Sequence, residues 1–278
     1  MALNLTTSPY HDDYDETKQF YRILFRPGRA VQARELTQIQ TSLQNQIKRF
    51  GQNIFKEGAL VLPGHSAIDL YAKYVKLTTS YNSVDSDDVL ASLVGVEITG
   101  QTSGIRALVI DYELSSSADS PTLYVKYLDS GTSKTATNFA DDEVLVNADS
   151  SVSVKAAVSN ATGTGIRFSI QSGVLFVKGV FAYFDSQDII VSKYDNTVSK
   201  SVGFLITESV VTSDEDESLL DPASGSYNYF APGADRYKIA LDLNVRNIGD
   251  YTNDPDFVEL ARIENGVLIS LKKTTEYN

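Results

Sequence analysis

Residues 21–40 read YRILFRPGRAVQARELTQIQ, and the fold turns on how this stretch divides. Its first part, with Phe20, is the aromatic and branched run Phe20-Tyr21-Arg22-Ile23-Leu24-Phe25, which predicts a short strand over 20–25. Pro27-Gly28 predicts a turn, because Pro presets φ at the second position and Gly accepts positive φ at the third. From about Ala33 to Phe55 the period changes. Leu36, Ile39, Leu43, Ile47, Phe50 and Ile54 recur at spacings of three and four, one apolar face of a long helix. The opposite face is Gln, Thr, Asn and Lys. Leu36, Ile39, Leu43 and Phe50 also fit heptad a/d positions with Gln46 as a polar d residue, the device that sets register in self-associating helices. Two placements stay open here: a seam between copies, or an amphipathic helix lying on its own domain.

Outward from this stretch the composition separates cleanly. Residues 1–19 are polar and aromatic, with Tyr10 and Tyr14 among acids, and predict an extended arm. After the helix everything reads as β. Ala59-Leu60-Val61-Leu62 is a strand closed by Pro63-Gly64, and residues 68–78 are β-rich. Ser80 to Asp88 is a polar boundary. Strands are expected at Leu93 to Ile98, Ile105 to Leu114, Thr122 to Leu128 and Glu143 to Val146. Turn-rich GQTSG, SSSADSP and DSGTSKTATN separate them, which suggests a small barrel or sandwich. Residues 149–165 read as a return connection. Further strands are expected at Ile166 to Ile170, Val174 to Phe184, Ile189 to Ser192, Val202 to Thr207 and Ile239 to Val245. A closing hairpin turns at Asn265-Gly266. The expected fold is mainly β with one long N-terminal amphipathic helix and a small β-barrel or sandwich inserted in a second β-rich domain. The divisions are 1–57 for attachment and oligomerisation, 58–84 with 149–278 as a discontinuous β domain, and 85–148 as the insert.

The chain has 278 residues, 42% hydrophobic and 22% charged, an ordinary globular mix long enough for about two domains. Its net charge is −12. That disfavours nucleic acid, which requires a basic stripe to displace counterions. There is no cysteine, so disulfide frameworks and Cys-based zinc sites are excluded. The N-terminus lacks the basic and apolar regions of a signal peptide, and no run reaches the roughly 18 apolar residues of a membrane helix.

Chemistry is harder to find. No GxSxG, HExxH or P-loop occurs. His11 and His65 cannot build a His-rich centre, and His11-Asp12-Asp13 reads as a solvated arm. Asp214-Glu215-Asp216-Glu217 lacks the glycine and spaced glutamate of a calcium loop. Gly163-Thr164-Gly165 reads as a turn. No catalytic residue, metal or cofactor is expected. Arg26, Arg29 and Arg34 suit an anion at the helix N-terminus, or bidentate contacts to carboxylates of a neighbouring chain or of the arm at 12–16. Tyr227, Tyr229 and Phe230 fall in a loop, where they suit glycan or partner contact or packing on the chain's own sheet.

The run YHDDYDETKQFYRILFRPGRAVQARELTQIQTSLQNQIKRFGQNIFKEGALVLPG, with GVLFVKGVFAYFDSQDIIVSKYDN and FVELARIENG downstream, resembles a family of tailed-phage virion proteins. The family carries a phage domain of unknown function found in tail-fibre and baseplate proteins, cyanophages included. The pattern FRPGRxVQARELTQxQ carries most of the likeness, which covers most of the chain outside about 85–160. It implies a structural role in the virion, assembled in the host cytoplasm, with other baseplate or tail-fibre proteins as partners. The association with fibres implies a trimer, with Arg26, Arg29, Arg34, Leu36, Ile39, Leu43, Gln46 and Phe50 at the joint. A host-glycan adhesin and, more remotely, a depolymerase are the rival readings.

Overall fold

The structure is a computed structural model that describes residues 3–277; the ends of the expected arm and polar tail, Met1, Ala2 and Asn278, lie outside the described residues. Helix α1 (Ala33–Ile54) forms where the three-four spacing places it. The Glu35 carboxylate accepts a hydrogen bond from the Gln32 N–H at 2.9 Å, and a negative charge in the first turn complements the helix dipole. Then come β1 (Ala59–Leu62), β2 (Ser66–Lys76), a small ribbon of β3 (Ser80–Tyr81) and β4 (Val84–Asp85), and a second helix, α2 (Ser86–Leu93). Strands β5 (Glu97–Gly100), β6 (Arg106–Glu113), β7 (Thr122–Tyr127), β8 (Val144–Asn147) and β9 (Ser153–Lys155) follow. The chain continues through β10 (Thr162–Ile170), β11 (Gly173–Val177), β12 (Val180–Phe184) and β13 (Gln187–Ser192). It closes with β14 (Lys200–Val211), β15 (Arg236–Asn247), β16 (Phe257–Glu264) and β17 (Val267–Leu271).

These strands form antiparallel sheets of orders β1-β11-β12, β13-β10-β2-β7-β6-β5-β8-β9 and β15-β14-β16-β17, beside the β3-β4 ribbon. The fold is mainly β, as expected. Two cores support it. In one, Leu60 and Phe184 of the three-stranded sheet meet Phe168 of the large sheet and Phe204 and Ile263 of the four-stranded sheet. In the other, Val75, Leu123 and Leu145 enclose Leu90 and Leu93 of α2.

Four expectations need correction. The insert is not a clear barrel. Its strands extend the large sheet, because β7 pairs directly with β2 through Lys73↔Val125 to Lys76↔Thr122. The sheet curls far enough for one bridge, Leu77 to Ala156, to join its far end to the exit of β2. Second, Leu93-Val94 does not begin a strand but ends α2. The Asp85 side chain accepts from the Asp87 N–H at 3.1 Å as an N-cap, and Leu90 and Leu93 share the buried face. Third, residues 149–165 are more than a connection, since they contain β9 and the start of β10. Gly163 lies in that strand, not a turn, and a Cβ there would sit 2.4 Å from the Tyr74 hydroxyl. Fourth, residues 20–25 form no strand: the aromatic residues are there, but no neighbouring strand is paired with them. The closing hairpin is as expected, with Asn265 at φ 49° and Gly266 at φ 74°, the geometry of a two-residue turn.

A candidate docking site on the N-terminal helix

The arm and α1 form one unit, and its packing is inverted. The arm lies along the polar face of the helix. Thr41 donates to Asp12, Gln38 donates to Asp13, and Arg34 pairs with Asp13 at 3.5 Å. Asn45 donates to the Tyr14 hydroxyl at 3.2 Å, and Arg49 pairs with Glu16. From Asp13 onward the contacts climb the helix, from Arg34 and Gln38 to Asn45 and Arg49, so arm and helix run in the same direction. Asp15 caps the short turn Glu16–Lys18, and hydrogen bonds from Thr17 hold its carboxyl below the usual range. The Glu16 carboxylate raises the Arg49 guanidinium above its ordinary value. The two ion pairs are solvent-exposed and screened, so each contributes little. The arm is therefore held by several weak contacts rather than by one strong one.

The opposite face is bare. Leu36, Ile39, Leu43, Ile47 and Phe50 are 51, 42, 61, 41 and 65% exposed. At roughly 1.5–3 kcal/mol for fully burying a large apolar side chain, these five, each about half exposed, leave roughly 4–8 kcal/mol unrealised in the single chain. Gln46 lies exposed at the stripe's edge. Phe20, Tyr21, Leu24 and Phe25 add to the uncovered surface, at 71, 68, 77 and 51%. Of the two placements left open by the sequence, the helix does not lie on its own domain with its apolar side. An open cleft of about 560 Å³ separates the helix from the returning segment, lined by Asp13, Phe20, Tyr21, Ile23, Gln38 and Ile39.

Only the C-terminal end of α1 is rooted. Gly51 is buried against Phe176, so closely that a Cβ would lie 2.5 Å from that ring. Phe55 packs edge-on to Phe181 with ring centroids 5.6 Å apart and lies 5.8 Å from Tyr277. Lys272 donates to the Gly58 carbonyl at 3.0 Å. A Gly51→Leu chain is expected to lose roughly 1–3 kcal/mol through overpacking at this root. Hydrogen exchange should then rise at 48–58 and stay unchanged in the large sheet.

The arginines divide. Arg34 meets the arm, as one of its expected partners. Arg26 and Arg29 do not: both are exposed, and among the described residues neither has a carboxylate in ion-pair reach. Arg49, which the sequence reading missed, is the second anchor of the arm. Its signal was its place on the same polar face as Arg34. Tyr227, Tyr229 and Phe230 are 109, 48 and 57% exposed, with Tyr229 and Phe230 edge-on at 4.5 Å. Their loop is pinched at its base by the Asp221 N–H to Ala231 and Phe230 N–H to Asp221 hydrogen bonds. They do not adjoin the helix stripe through any described ring contact. Asp216 and Glu215 bond within their own turn, to the Ser218 and Thr212 N–H groups. Among the described residues no group of three or more His, Asp or Glu side chains is arranged to hold a metal ion, and no helix is long and apolar enough to cross a membrane.

No curated protein and no solved structure matches the chain. One family does, described as a domain of unknown function, DUF4815, at residues 8–84 and 136–278. The match spans the arm, α1 and its root, and leaves out 85–135, which carry α2, β5, β6 and β7. The chain belongs to the DUF4815 family.

Proposed function

We propose that this chain is a structural component of a tailed-phage virion, in the baseplate or tail-fibre network, where it joins copies of itself and neighbouring proteins through its N-terminal region. One observation carries the joining role: α1 has its polar face strapped by the arm and its apolar face open. An apolar stripe left uncovered beside a satisfied polar face is the pattern of a surface awaiting a partner. The virion setting rests on the resemblance of FRPGRAVQARELTQIQ to phage tail proteins, as does the trimeric state. In this reading the protein performs no catalysis, inserts in no membrane and binds no nucleic acid.

Antibody-gold labelling of intact particles tests the setting. Label near the tail tube is the expected result. Absence of label, with access confirmed on disrupted particles, would remove the protein from the virion. Within the joint, the unpaired Arg29 is expected to meet a partner carboxylate. Arg29→Glu should weaken assembly by roughly tenfold or more, the loss expected for an interfacial charged contact, while circular dichroism stays unchanged.

A second reading, a host-glycan adhesin, is favoured by the full exposure of Tyr227 in its pinched loop. Glycan-array binding that Tyr227→Ala abolishes would move that reading ahead.

A further inference from the structure

We infer that the arm and α1 are latched to the β body at their far end by a hydrogen bond from Tyr10 to Asp235, and that with this latch open the two swing together as a lever about the root at 51–58.

The root fixes one end of the lever. Gly51 sits against the Phe176 ring, Phe55 leaves the helix with extended backbone, and Gly58, at φ 78°, donates its N–H to the Phe176 carbonyl at 2.8 Å. From Ala33 to Gly51 the helix rises about 27 Å. A turn of about 10° at the root therefore moves the far end by about 5 Å, well past hydrogen-bond reach.

The far end has its own attachment, and the arm makes it. The Tyr10 hydroxyl donates to Asp235 Oδ2 at 2.6 Å. Tyr10 lines a small open cleft with Gln32, Ala33 and Arg34, which places the bond at the N-terminal end of α1. Among the described residues it is the one hydrogen bond or ion pair that joins residues 3–50 to residues 60–277. Its acceptor is well placed. Strands β14 and β15 stay paired out to Val211↔Arg236, beyond the last pair of β14 with β16 at Leu205↔Phe257. Asp235 thus stands at the tip of a two-stranded ribbon, beside the strap that the Gly233 N–H makes to the Leu219 carbonyl at 3.0 Å. The carboxylate raises the Tyr10 hydroxyl above its ordinary value, so the phenol keeps the proton it donates.

The bonds of Asp12, Asp13, Tyr14 and Glu16 to α1 hold arm and helix to each other, and hold neither to the body. A hydrogen bond to a charged acceptor shifts an open–closed equilibrium by about tenfold or more. Cutting it leaves the aromatic root and the arm–helix contacts in place. Asp235 also closes the loop 212–235, so displacing that loop would open the latch and free the direction in which α1 presents its stripe.

The test measures the distance between spin labels at Gln40→Cys on α1 and Val158→Cys on the body by dipolar electron paramagnetic resonance; the chain has no cysteine of its own. The full chain carries Leu43→Asp throughout, so that no second copy holds the helix. One narrow distance distribution is expected with Tyr10 and Asp235 intact. In Tyr10→Phe and in Asp235→Ala the open fraction should rise about tenfold, with thermal unfolding of the β cores unchanged. Tyr227→Phe, which removes an exposed hydroxyl from the same loop, should leave the distribution narrow. If both latch variants keep the narrow distribution, the root alone holds the helix and the inference falls. It falls equally if the distribution is already broad with the latch residues intact, or if Tyr227→Phe broadens it as much. None of these outcomes bears on whether copies associate through α1, which the mass of the unlabelled chain reads separately.

Discussion

A Leu43→Asp chain is expected to be a folded monomer under conditions where the parent chain associates. Leu43 stands at the middle of the exposed stripe, 61% open in the single chain, between Ile39 and Phe50. In the monomer an aspartate there is solvated and touches no core, so both β cores should unfold at the parental temperature. In the associated state the same carboxylate would be desolvated against the apolar residues of another copy, with no cation on the stripe to pair with. An unpaired buried charge costs roughly 3–5 kcal/mol, which weakens association about 10²–10³-fold or more. Symmetry multiplies the effect, since each copy brings its own charge to the seam. Sedimentation paired with circular dichroism reads both halves of this expectation. A variant that unfolds would show that the stripe packs inside the chain, against the exposures found for it.

Glu143→Leu is expected to be the most destabilising single change outside the aromatic core. Glu143 is 2% exposed. One carboxylate oxygen accepts the N–H groups of Thr102 and Ser103, and the other accepts that of Ala140 at 2.9 Å. It thereby fastens the β5–β6 turn to the loop before β8. Leucine keeps the volume and abandons three N–H groups. At about 1–3 kcal/mol for each N–H left without its partner, the loss comes to at most roughly 3–9 kcal/mol. Chemical denaturation followed by fluorescence of the tyrosines in the second core measures it. A loss under about 1 kcal/mol would mean that solvent reaches those donors and that Glu143 is not their anchor. Because α1 lies outside this core, association of the folded fraction should be unaffected.

How far the sequence carried depended on whether the cause was local. The bounds of α1 were legible because a three-four period over 22 residues has no competing explanation. The final hairpin was legible because Asn265-Gly266 accepts two positive φ angles in succession. Residues 20–25 misled because β propensity states what fits a sheet and not whether a sheet edge is present. Leu93 to Ile98 misled because eight residues of α2 carry too few periods to outweigh a run of branched residues. The pairing of β2 with β7 was hidden for a different reason. It joins segments about fifty residues apart, and no spacing pattern within either segment encodes the other.

The candidate site was half legible. The stripe itself could be read from the helix, residue by residue. Which face of the helix the chain covers could not, because amphipathicity leads one to expect the apolar face inward. The acids at 12–16 and the basic side chains of α1 announced an attraction, and Arg34 with Asp13 realises it. The arm nevertheless passes Arg26 and Arg29 by and ends on Arg49, a choice made by the direction in which it climbs the helix.

The central claim is that α1 is a joint between copies, and the most direct measurement is the solution mass of the purified chain by light scattering across a concentration series. The protomer mass is 30.5 kDa. A whole-number multiple of that mass is expected, threefold under the proposed trimeric state, with dissociation in Leu43→Asp. A mass of 30.5 kDa at every concentration, for a chain whose cores are folded, would contradict it.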